Sequence, residues 1–182
     1  QAAFMLESAY RYFPAGSIHV VVVDPGVGTD RAILYLESDR QRFIAPDNGV
    51  LSLVLALDRD MRCRRLDAAA FTRTAVSLTF HGRDIIAPAA GRLSKGLDPE
   101  HLGPEIDARS VIRLEGLKAA SAADGSLIGR VVHMDRFGNL ITNIDAAAWQ
   151  KAATRAGRSP SVEINGRRIT FSGRTYADAA AG

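Results

Sequence analysis

The stretch "VVVVDPGVGTDR" runs four valines into a short glycine-rich loop that carries a carboxylate, Asp24, and a guanidinium, Arg31. A second stretch, "LTFHGRD", sets His81 at the end of another apolar run. Open α/β sheets place ligands beyond the carboxyl ends of their strands, so Asp24 and His81 at two such ends can converge on one crevice. A carboxylate and an imidazole there can orient a small nucleophile and take its proton. Pro25 fixes one backbone angle, and Gly26 and Gly28 let the chain turn sharply and approach a ligand closely. The loop lacks the Gly-Lys-Ser/Thr ending of a phosphate loop. The plain alternatives are an Asp-Pro-Gly turn and a histidine bonded to backbone at a helix entrance. Arg83 and Asp84 fit the first turn of that helix, where Asp84 complements the dipole.

Two further stretches hold polar residues in suggestive settings. "DRFGNLITNI" surrounds an apolar plate, Phe137, with Asp135, Asn139 and Asn143, a set that suits a small molecule with a flat ring and charged ends. Its alternative is a hairpin turn with Phe137 as a core anchor. "APDNG" at 45–49 reads as an Asx-type helix cap. A different chemistry would use Asp24, His81 and Asp84 as ligands of a divalent metal.

The elements that must position these residues follow from periodicity. Residues 2–13 read as an amphipathic helix ended by "FPAG". "SIHVVVVD" reads as a strand buried on both faces, because its β-branched run is continuous. "AILYLESD" and "QRFIAP" are strands joined by a turn at Asp39 and Arg40. "NGVLSLVLALD" is helical, "AVSLTF" a strand, and "RDIIAPAAGRLSKG" a helix with Pro88 early and Gly96 as its C-terminal cap. This alternation predicts a Rossmann-like α/β layer with mixed strand pairing over 1–96. Residues 97–126 are rich in Pro, Gly and small residues and read as a linker with one extended piece, "SVIRLEG". From 127 to 182 the pattern is β-rich: strands "LIGRVVHMD" and "LITNI", a helix "AAAWQKAATRAG", and a hairpin turning at Asn165-Gly166.

The chain has 182 residues, 47% hydrophobic and 24% charged, with a net charge of +3. That supports a substantial core and an ordinary soluble surface. The basic run "RDMRCRR" has no interleaved aromatics, so it reads as solvated surface rather than a nucleic-acid patch. The single cysteine, Cys63, forms no internal disulfide and anchors no cysteine zinc site. No apolar run approaches the roughly 20 residues of a membrane span, and no signal peptide is visible, so the cytoplasm is the expected location. The ends, a helical pattern starting at Gln1 and "TYADAAAG", read as cut from a longer chain.

Together, "VVVVDPGVGTDR", "FIAPDNGVLS", "LTFHGRDIIAPAAGRL" and "VVHMDRFGNLITNI" resemble the S-adenosyl-L-methionine hydroxide adenosyltransferase family, relatives of the fluorinase and chlorinase. The resemblance runs over nearly the whole chain, in order. It implies an α/β domain followed by a β-barrel-like domain, both incomplete here, and a homotrimer with sites between subunits. The implied reaction converts S-adenosyl-L-methionine and water to adenosine and L-methionine, with no cofactor, no metal, and neither nucleic acid nor membrane as partner. It implies Asp24, Arg31 and His81 as catalytic residues and Phe80, Gly82, Asp135, Phe137 and Asn139 as substrate contacts, with Asp135 on the methionine amine and Asn139 on the adenine. Halogenating relatives carry Tyr at the position of Asp24 and Tyr-Ser at His81-Gly82, so these departures imply water as nucleophile. A halogenase, a non-catalytic binding module for adenosine or S-adenosyl-L-methionine, and a metal-dependent hydrolase are the alternatives. Family members also begin earlier, with a "TDFG"-like strand, and continue further.

Overall fold

The computed structural model describes residues 1–58, 60–72, 76–156, 161–169, 173, 175 and 178. They divide into two compact units, Gln1–Leu117 and Lys118–Gly182.

In the first unit, helix α1 (Ala2–Tyr10) precedes strands β1 (Ile18–Val20), β2 (Ile33–Glu37) and β3 (Arg42–Pro46), then helix α2 (Ser52–Leu57) and strand β4 (Arg62–Arg65). A π-helical turn, Gly82–Ile86, runs directly into α3 (Ala87–Ser94), and β5 (Glu105–Ile106) completes a five-stranded sheet of order β1-β3-β2-β4-β5. Only β1 and β3 pair in parallel; the other pairings are antiparallel. This is a mixed α/β layer, with more antiparallel character than a Rossmann-like reading implies.

Alternate residues of a strand face opposite ways, and both faces of β2 and β3 are covered. Leu34, Leu36, Phe43 and Ala45 pack with Val50, Leu51, Val54 and Leu55 on one side. Ile33, Tyr35 and Ile44 pack with Ile85, Ile86, Ala89 and Leu93 on the other. The strand buried on both faces is therefore not the valine run. β1 ends at Val20, and Val22 and Val23 are 58% and 54% exposed, because β1 pairs with β3 alone and lies at the end of the sheet. Cys63 sits within the first cluster, where burial pushes its thiol up to about 12 and leaves it unreactive.

Two further expectations are corrected. "AVSLTF" forms no strand over its described residues, Val76–Phe80; the Ser77 N–H instead donates to Asp84 Oδ2 at 2.9 Å. Residues 97–117, expected as linker, fold onto the first unit. Leu102 is fully buried, β5 pairs with β4, and Gly103 crosses the backbone of Arg65 so closely that a Cβ would stand 2.2 Å from its carbonyl oxygen. "SVIRLEG" lies in no strand, although its Ile112 and Leu114 N–H groups donate to Asp47 Oδ1 and Ser52 Oγ at 2.9 Å each. Leu102, Ile106 and Val111 pack into the two core clusters and, with these backbone bonds, dock a segment that composition alone marks as loose.

The second unit holds three two-stranded ladders and one helix: β6 (Ala120–Ser121) with β7 (Leu127–Ile128), β8 (Val131–Met134) with β9 (Leu140–Thr142), α4 (Ala146–Ala156), and β10 (Val162–Ile164) with β11 (Arg167–Ile169). Asn165 and Gly166 both take positive φ, 49° and 73°, as a two-residue hairpin turn requires. No closed barrel is present among the described residues, and none of the second unit's described residues is buried. Among the described residues, no helix is long and apolar enough to cross a membrane.

Candidate active site

Beyond β1 the chain enters a tightly bonded loop. The Gly26 N–H donates to Asp24 Oδ1 at 3.2 Å, and the Thr29 hydroxyl donates to the Gly26 carbonyl at 2.7 Å. Gly28 has φ +85°, and a Cβ there would stand 2.8 Å from the Leu78 carbonyl oxygen, so glycine is needed for both conformation and space. This folding returns Arg31 to the start of the loop. Its Nε donates to Asp24 Oδ2 at 2.6 Å, its Nη2 forms an ion pair with the same carboxylate, and Nη2 also donates to His81 Nδ1 at 2.9 Å. The Arg31 and Asp24 side chains are only 9% and 8% exposed.

His81 precedes the π-helical turn, at a helix entrance rather than a strand end. Its neighbours are now placed as well. Gly82 lies against Val22, where a Cβ would meet Cγ1 at 3.1 Å. Phe80 is exposed, with the Arg83 guanidinium 4.8 Å above its ring. Asp84 is occupied by Arg83 and the Ser77 N–H, and these bonds, Arg83 first, hold its carboxyl down to about 2. Asp84 is thus committed to the backbone that carries Leu78 over the glycine loop. Among the described residues no three His, Cys, Asp or Glu side chains converge as metal ligands.

The second candidate cluster is a single turn of the second unit. Asp135 Oδ1 accepts the N–H groups of Phe137 and Asn139 at 2.8 and 2.9 Å, and Oδ2 accepts Asn139 Nδ2 at 2.7 Å. The Asn139 side-chain bond is the first cause holding the Asp135 carboxyl below its ordinary range. Phe137 is no core anchor: it is 81% exposed, with the Arg136 guanidinium 5.5 Å from its ring centre. Asn143 Oδ1 accepts the Arg130 N–H at 2.7 Å and so fastens the neighbouring backbone.

Family models place this constellation in context. The N-terminal domain of SAM hydroxide adenosyltransferase matches residues 1–103, and the C-terminal domain of the same enzymes matches residues 129–182. The chain belongs to the SAM hydroxide adenosyltransferase family. It is 37% identical to the (R)-S-adenosyl-L-methionine hydrolase of Thermus thermophilus and 32% identical to that of Salinispora tropica, in each case over all of this chain and 68% and 67% of the relative. A solved structure of a conserved hypothetical protein from Thermus thermophilus shares 34% identity at TM-score 0.70, over 98% of this chain and 64% of that one. One of an uncharacterized conserved protein from Thermotoga maritima shares 37% identity at TM-score 0.68, over 79% and 54%. The chain therefore spans about two thirds of the curated relatives and less than two thirds of the solved ones.

In this chain the Arg31 contact fixes the histidine tautomer. A guanidinium has donors and no acceptor, so His81 Nδ1 must accept and the neutral ring carries its proton on Nε2. His81 thus offers a donor at Nε2, and its other lone pair is taken. Asp24 Oδ1, with one N–H on it, keeps a lone pair for a further partner. Sequence reasoning missed Asn48 in this setting. "APDNG" forms an Asx turn, with Asn48 Oδ1 accepting the Val50 N–H at 3.1 Å, whereas the N-cap of α2 is Leu51 and has no side-chain cap. The donor half of Asn48 reaches a residue 25 positions away, which no local pattern signals.

Proposed function

We propose that the chain hydrolyses S-adenosyl-L-methionine to adenosine and L-methionine, through Asp24, Arg31 and His81. The observation that supports this reading is the bonding of Arg31 to both Asp24 and His81, which joins the loop after β1 to the entrance of the π-helical turn. An oxygen from water attacks C5′ in line as the carbon–sulfur bond breaks. The bond's electron pair goes to sulfur, and neutral methionine leaves. The water's proton passes to Asp24 Oδ1, because the Nδ1 lone pair of His81 is engaged by Arg31. His81 orients the oxygen through Nε2–H, and Arg31 stabilises negative charge developing on it. Free hydroxide is scarce at neutral pH, since bulk water has a pKa of about 15.7, so a positioned acceptor matters.

The same proposal assigns Phe80 and Gly82 beside His81, and Asp135, Phe137 and Asn139 on the second unit's turn, as substrate contacts. The exposed turn offers a carboxylate to an ammonium group and a ring face to an adenine. It also includes a homotrimer, a barrel-like second domain, a cytoplasmic setting and no cofactor. The exposed apolar side chains Val22, Leu78 and Phe80 near the trio support a partner surface there. The test is product analysis of the chain incubated with S-adenosyl-L-methionine. Equal amounts of adenosine and methionine, unaffected by halide or chelator, are expected. A 5′-halogenated nucleoside would reassign the chain to the halogenating branch, and loss of turnover with chelator would reinstate metal hydrolysis. Light scattering checks the trimer.

A further inference from the structure

The Asp24–Arg31 loop is fastened at both ends by two adjacent residues of a different segment. At its entrance, Asn48 Nδ2 donates to the Val23 carbonyl at 3.0 Å. At its exit, the Asp47 N–H donates to the Ala32 carbonyl at 2.9 Å. These are the residues immediately before Asp24 and after Arg31. β1 itself stops at Val20, and the last ladder bond on this side is from the Val21 N–H to the Ile44 carbonyl at 2.9 Å. From Val22 to Asp24 the backbone has left the sheet, so the Asn48 bond holds it just where the carboxylate must be aimed. Asn48 is in turn oriented, since its Oδ1 accepts the Val50 N–H at 3.1 Å.

We infer that Asn48 is a positioning residue for the reaction: through the Val23 carbonyl it sets the angle at which Asp24 meets Arg31, and so the Arg31 bond to His81. This rests on the hydrolytic reading of the trio. Asn48 acts through Asp24, and it lines a hollow of about 310 Å³ with Val23, Pro25, Gly26 and Val50. The two halves of its amide are separable. Asn48→Asp keeps the acceptor for Val50 and removes the donor to Val23. Asn48→Ser keeps a turn-closing oxygen without adding charge, and its hydroxyl, one atom shorter than the amide, draws the donor back from the Val23 carbonyl.

The test measures kcat, KM and the ring-nitrogen resonances of 15N-labelled His81 in the full chain and in both variants. Misplacing a reacting group by about 1 Å can cost on the order of 100-fold, so kcat should fall roughly 10- to 100-fold in both. KM should stay within about threefold, because no ground-state contact is removed. His81 should show a single Nε2–H form in the parent and a mixture of tautomers in the variants. Ser52→Ala, which removes the hydroxyl bonded to the Leu114 N–H and leaves Val23 alone, should change none of these. Unchanged kcat with an unchanged His81 signal in either variant overturns the inference. So does a raised KM with kcat intact, which would make Asn48 a substrate contact. If the parent chain forms no adenosine, the hydrolytic reading fails by itself, and the His81 tautomer still decides whether Asn48 holds the trio.

Discussion

The two units of this chain build their candidate site residues in opposite ways. In the first, a sheet covered on both faces carries its polar trio on the loop after β1 and at a helix entrance, and the trio is held by part-buried side-chain bonds that reach across 50 residues of sequence. In the second, no described residue is buried, and Asp135, Phe137 and Asn139 share one short turn whose bonds span at most four residues. The first arrangement depends on a scaffold and can hold a reactive geometry against solvent. The second depends on itself and presents a finished surface. Fixed electrostatics belong to the first kind of site, and recognition of a ring and a charge can be served by the second.

The largest effect should come from breaking the scaffold-held trio. Asp24→Ala should lower adenosine formation by about 10³-fold or more, since it removes the proton acceptor and the partner of Arg31. It should also destabilise the first unit by ~3–5 kcal/mol, because a buried guanidinium loses its counter-charge. Asp24→Asn keeps the shape, and its comparison with Ala separates chemistry from folding. Turnover within a few-fold of the parent in both variants would make Asp24 a turn residue.

The packing contrast can be tested directly. Phe43 is fully buried between β1 and β2, and Phe43→Ala should lower unfolding free energy by ~3–5 kcal/mol. Ile128 on β7 is 61% exposed, and Ile128→Ala should change it by less than ~0.5 kcal/mol in the single chain. Comparable losses from denaturant melts would show that the second unit has a core of its own.

Arg31→Lys sharpens the comparison on a smaller scale. The guanidinium contacts Asp24 through two nitrogens and His81 through one of them. An ammonium cannot reproduce that fork, so turnover should fall at least about tenfold, or ~1.4 kcal/mol, with substrate affinity changing much less. Equal losses in binding and turnover would make Arg31 a substrate-binding residue instead.

The smallest effect concerns pH and the self-contained turn. Asp135 is depressed below its ordinary range, chiefly by Asn139. Such a group stabilises the fold above its unfolded value of about 3.9 and loses that contribution only as pH falls through the lower folded value. The Asn139 side-chain amide signal should therefore stay unchanged from neutrality to below the normal carboxylate range. Loss of that signal near neutral pH would contradict the bonding at the turn.

What the sequence made legible follows the same division. The β2–β3 hairpin, α2, α4 and the Asn165-Gly166 turn rest on local periodicity and turn chemistry, and each is readable without tertiary information. The valine run misleads because its strand is at the sheet end, so β propensity there exceeds the burial it receives. Residues 97–117 mislead in the other direction, since three spaced apolar side chains dock a segment with no period. Asp24 and His81 were recognisable as candidates, and Arg31 bonds to both, though His81 arrives by a helix and not by a strand. The Arg31–His81 bond fixes which imidazole nitrogen is free, and that detail exists only in three dimensions.

The most direct test of the central claim, that this trio delivers a water oxygen to C5′, is turnover of S-adenosyl-L-methionine in ¹⁸O-enriched water with mass analysis of both products. The account predicts one ¹⁸O in adenosine, at the 5′ oxygen, and none in methionine beyond ordinary carboxylate exchange. Adenosine released without label, or a 5′-substituted nucleoside in its place, would contradict it.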